Sequence, residues 1–105
     1  MERMKARITV LKCMDNRRIQ EQEHIEGRGG PCDAFEVGQT FVAGWDVPNG
    51  FCSFAYADIH DDLVMIQCGG SPDHIGPEHT AISCCRDGLC PVVFKIERLD
   101  EPCNA

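Results

Sequence analysis

The sequence predicts a small α+β domain: an antiparallel sheet, open or curled toward a barrel, with one main helix packed across it. Three observations predict this. Apolar, β-branched runs stand at both ends of the chain, over Ala6–Met14 and Cys90–Leu99. Between them, residues 51–67 repeat their apolar positions with a helical period. Finally, 105 residues, 43% of them hydrophobic, suit one domain spanning 1–105.

The elements follow in order. "ARITVLKCM" (Ala6–Met14) reads as a strand. The polar stretch after it carries a short helix over Arg17–His24 and then a glycine-bearing loop. "CDAFEVGQTFVAGW" gives a short extended piece, a turn at Gly38 and a strand over Gln39–Ala43. "VPNG" is a turn, and Asn49 is placed to cap the helix that begins at Phe51. Along that helix Cys52, Ala55, Tyr56, Ile59, Leu63 and Ile66 share one stripe, with Asp61 opposite. Gly69-Gly70 ends it.

Asp87-Gly88 lies between two apolar runs, Thr80–Cys85 and Cys90–Leu99, and signals a hairpin with a two-residue turn. In that register Cys85 faces Cys90, Ser83 faces Val92 and Ala81 faces Phe94. Cys85, Cys90, Val92, Phe94 and Ile96 then share the core face, and Cys84 projects to the other. The first strand is expected to pair with the last, Ile8–Cys13 against Val92–Arg98. Trp45 and Phe51 are expected to fill the core, because large aromatics are mostly buried.

Net charge is −7. An acidic body argues against a nucleic-acid partner, since binding leans on neutralising phosphates. The basic residues cluster early, at Arg3, Lys5, Arg7, Lys12, Arg17 and Arg18. The simplest account is that this basic strand faces the acidic remainder. No apolar run reaches the ~20 residues of a membrane span. The opening "MERMKARITV" has no apolar leader core, which points to the cytoplasm.

Eight cysteines in such a chain call for metal binding, redox chemistry or a reducing compartment where thiols persist. No C-x-x-C pair occurs, which weakens the zinc-ribbon and thioredoxin readings. Cys85 and Cys90, if directly opposed about 4.5 Å apart, are two buried thiols, two ligands of one ion, or a disulfide; these alternatives stay open. Cys103, in a polar tail, is expected at the surface.

"PCDAFEVGQTF", "PNGFCSFAYADI", "CGG" and "CCRDGLCPVVFKIER" together resemble a family of small, uncharacterised prokaryotic proteins common in anaerobes. The resemblance spans residues 8–98. It implies a single compact domain and singles out Cys32, Cys52, Cys84 and Cys85. This chain departs from the pattern at Cys90, where the family has arginine, and at Phe54 and Tyr56, where tryptophan is frequent.

Three functional readings follow. The first is a small cytoplasmic metal- or cluster-binding protein, with Cys32, Cys52, Cys84 and Cys85 as thiolates for zinc or an iron–sulfur centre and His74 and His79 as alternate ligands. The second is a cysteine-dependent enzyme, with Cys52 at a helix start; "DIHDD" (Asp58–Asp62) falls outside the apolar stripe and reads as a solvated face. The third is a non-catalytic assembly module, a homo-oligomer or an accessory subunit of a larger enzyme.

Overall fold

The computed structural model describes residues 2–27 and 30–104. Strand β1 (Met4–Cys13) is followed by a short helix α1 (Arg17–Gln22) and strand β2 (Thr40–Ala43). Helix α2 (Ser53–Gln67), strand β3 (Thr80–Cys84) and strand β4 (Val92–Pro102) complete the chain. The strands form one antiparallel sheet in the order β2-β1-β4-β3. The sheet stays open, with β2 and β3 as its edges; it does not close into a barrel.

The central pairing joins the two ends of the chain as expected, with Ile8 opposite Ile96 and Cys13 opposite Val92. Each of these strands alternates. Ala6, Ile8 and Val10 of β1, and Val92, Phe94 and Ile96 of β4, are buried under α2. The outer face carries Arg7, Thr9, Lys95 and Glu97. The basic first strand does face acidic residues: Lys5 pairs with Glu101 at 2.8 Å and Arg7 with Glu97 at 3.5 Å.

Helix α2 lays Ala55, Ile59, Leu63 and Ile66 on the sheet, each completely or almost completely buried. Full burial of each large aliphatic side chain stabilises the fold by roughly 1.5–3 kcal/mol. The N-cap is Cys52, with no side-chain capping bond, so Asn49 does not cap the helix. Gly69, at φ +97°, takes the left-handed turn that ends it. Phe51 packs at the start of α2, edge-on to Phe35 (5.0 Å between ring centres) and Phe41 (4.9 Å). Trp45 corrects the expectation of burial: it is 51% exposed, and the Arg3 guanidinium lies 4.5 Å over its ring.

Asp87-Gly88 does not make a two-residue turn. Ala81 faces Ile96, Ser83 faces Phe94 and Cys84 faces Val93, a register displaced by two residues from the tight hairpin. The cause is Pro91. In the tight register Pro91 would sit opposite Cys84 at a hydrogen-bonded position, and proline has no N–H to donate. The chain instead loops over 86–91, and Asp87 Oδ1 accepts the Leu89 N–H at 3.1 Å. A slip of two residues preserves the faces, so Cys85 remains on the core side and Cys84 outside.

Candidate functional site

Four cysteines gather at one end of the sheet, each for a local reason. Cys13 reaches the core face through a bulge. Between Val10, opposite Phe94, and Lys12, opposite Val93, β1 holds one extra residue, Leu11. Strict alternation from Ala6, Ile8 and Val10 would turn Lys12 inward. The bulge turns Cys13 inward instead and leaves Lys12 and Leu11 exposed. The Cys13 thiol donates to the Phe35 carbonyl at 3.6 Å, which holds the segment just after Cys32 against the end of β1.

Cys85 flanks Val92 on the other side. Its N–H donates to the Val92 carbonyl at 3.0 Å, and its sulfur accepts the Val92 N–H at 3.2 Å. The 86–91 loop is stitched to the end of β1 and to α2. Met14 N–H donates to Pro91 O (2.8 Å), Asn16 Nδ2 to Gly88 O (2.6 Å), and Arg86 N–H to Asp58 Oδ2 (2.8 Å). Cys90, in that loop, is buried and its thiol donates to Asp87 Oδ2 at 3.3 Å.

The 86–91 loop and the segment around Cys32 bound a cleft of about 320 Å³, lined by Cys32, Asp33, Asp87 and Cys90 with Gly27, Gly30 and Pro31. It holds two thiols and two carboxylates. Cys13 is not among the lining residues but feels Cys32: burial pushes the Cys13 thiol above its usual range, and negative charge on Cys32 or Cys85 pushes it further.

The other sequence-selected residues stand elsewhere. Cys52 caps α2, half-buried against the aromatic core and outside the cleft lining. Cys84 is exposed on the outer face and its thiol donates to its neighbour's carbonyl, Cys85 O, at 3.0 Å. Partial burial, then the charges of Cys85 and Asp58, push its thiol up. His79 N–H donates to Ser71 Oγ at 2.8 Å, and its Nδ1 lies 3.1 Å from Gly70 O, so it closes the loop after α2. His74 is exposed. Cys103 is half-buried rather than exposed, because its N–H donates to Arg3 O at 2.8 Å.

A tetrahedral zinc or a cluster needs four convergent donors. Among the described residues, no group of three or more His, Cys, Asp or Glu side chains converges closely enough to hold one ion. Of the four expected thiolates, only Cys32 lines the cleft. Its companion there is Cys90, and Cys13 packs against the same core cluster. The resemblance singled out neither, although Cys90 stood open in the sequence as a partner of Cys85 on one ion. The clue to Cys13 was legible: the apolar alternation of β1 fails at Leu11-Lys12. Cys90 had no such clue, because its place depends on the loop that Pro91 forces.

No protein-family profile, curated protein or solved structure matches this chain.

Proposed function

We propose that the chain is a small binding domain for a soft, thiophilic metal ion of the copper(I) class, held by the thiolates of Cys32 and Cys90. One observation carries the reading: two cysteines from loops far apart in sequence line the same open cleft. Soft thiolate ligands select soft ions, and a d¹⁰ monovalent ion accepts two sulfurs where zinc asks for four donors. A two-sulfur site therefore fits described residues in which no larger donor group converges. Binding releases the thiol protons, including the one Cys90 shares with Asp87. Thiols of this kind endure in a reducing compartment, which accords with the cytoplasm.

The test is an anaerobic copper(I) titration of the reduced protein against a chromogenic chelator. One equivalent is expected. Cys32→Ser and Cys90→Ser should each abolish tight uptake, and Cys103→Ser should leave it intact. Uptake below about a tenth of an equivalent, or uptake untouched by Cys32→Ser, ends the reading.

A further inference from the structure

We propose that Cys13 and Cys32 form a reversible disulfide that switches the cleft's ion site off. The inference rests on Cys32 being one of only two ligands there. It starts from the Leu11 bulge, which turns Cys13 toward the core side where Cys32 also packs. The Cys13 thiol already contacts the carbonyl of Phe35, three residues beyond Cys32.

The geometry selects this pair. Cys13 and Cys85 flank Val92 from opposite sides. Two strand spacings put their Cα atoms about 10 Å apart, whereas a disulfide spans at most ~7 Å. Cys84 is on the other face, and the Cys90 thiol is held by Asp87 of its own loop. Cys32 comes from a loop, free of that strand spacing, and lines the open cleft. Cys13 is not among the lining residues, so an oxidant entering the cleft meets Cys32 first.

The oxidant is a low-molecular-weight disulfide, R–S–S–R. The Cys32 thiolate attacks one sulfur, forming a Cys32–S–S–R bond and releasing RS⁻, which takes the proton Cys32 gave up. The Cys13 thiolate then attacks the Cys32 sulfur and releases the second RS⁻, which takes the Cys13 proton. The protein dithiol loses two electrons and R–S–S–R becomes two RSH. With its sulfur bonded to Cys13, Cys32 no longer has a thiolate to offer an ion.

The experiment uses the whole, metal-free, reduced protein. It is incubated anaerobically with oxidised glutathione, alkylated, and digested at lysine and arginine and then at glutamate. Cuts at Lys12, Arg17, Arg28 and Glu36 isolate Cys13 and Cys32 on separate fragments. Those two fragments should be recovered joined. After desalting, copper(I) affinity should be at least ~10-fold weaker, the scale lost even when outer-shell partners of a metal are removed. Dithiothreitol should restore both readings. Cys13→Ser should stop at the glutathione adduct on Cys32.

A different cysteine pair joined, or a stable glutathione adduct on wild-type Cys32 with no internal bond, overturns the switch. So does a Cys13–Cys32 bond that leaves copper(I) affinity unchanged. Each of these leaves the ion reading standing if the reduced protein binds copper(I). Failure of the reduced protein to bind copper(I) sinks the ion reading and the switch with it; the fragment map then reports on the disulfide alone.

Discussion

Gln67 shows how much one side chain can hold. It is completely buried at the end of α2, where sequence periodicity gives no reason for a polar residue. Its Nε2 donates to Gly44 O (2.9 Å) and Ala43 O (3.2 Å), and its Oε1 accepts from Arg3 Nε (3.0 Å). It thus joins α2, the exit of β2 and the start of β1. Gln67→Leu would strand those partners and should cost about 2–3 kcal/mol in urea unfolding. Gln22→Ala, at an exposed position of α1, should stay within ~0.5 kcal/mol. A glutamine in a helix reads as surface, and only the meeting of three elements makes this one internal. The sequence could not announce it.

For single elements, legibility tracks how local the cause is. The α2 stripe needed only its own period, and Ala55, Ile59, Leu63 and Ile66 are buried as that period requires. Leu63→Ala should cost about 2–5 kcal/mol. Phe54→Ala, on the same helix but 83% exposed, should change stability by less than ~0.5 kcal/mol. Thermal or urea unfolding of the pair checks both. The Asp87-Gly88 loop failed as a tight hairpin because a distant requirement overrode a local preference. Pro91 was visible in the sequence, but its meaning depended on a register that had to be assumed first. Cys85 kept its face only because the slip was even.

At the level of the whole molecule, protons and strand order govern. Burial raises the thiols of Cys13 and Cys84 and the phenol of Tyr56, and hydrogen bonding to Glu101 raises Lys5. All four hold a proton more tightly folded than unfolded. Their contribution is therefore complete below the ordinary thiol value of about 8.5 and is lost as pH climbs through the raised values. The urea midpoint should hold steady between about pH 6.5 and 8 and decline above about pH 9. A midpoint that rises in alkali would contradict this. The pairing of first and last strands was readable from their apolarity. The gathering of Cys13, Cys32, Cys85 and Cys90 at one end of the sheet was not, since it joins a bulge, two loops and a displaced register.

The Leu11 insertion has a consequence for anyone altering this chain. Deleting Leu11 would leave Lys12 opposite Val93 and Cys13 opposite Val92, both on their present faces. Adding one residue between Lys12 and Cys13 would seat the newcomer opposite Val92 on the core side and point Cys13 at solvent. No sulfur would have been removed, yet the pair with Cys32 would be gone. Here the count of backbone units, as much as the choice of amino acid, decides which thiols can react with one another.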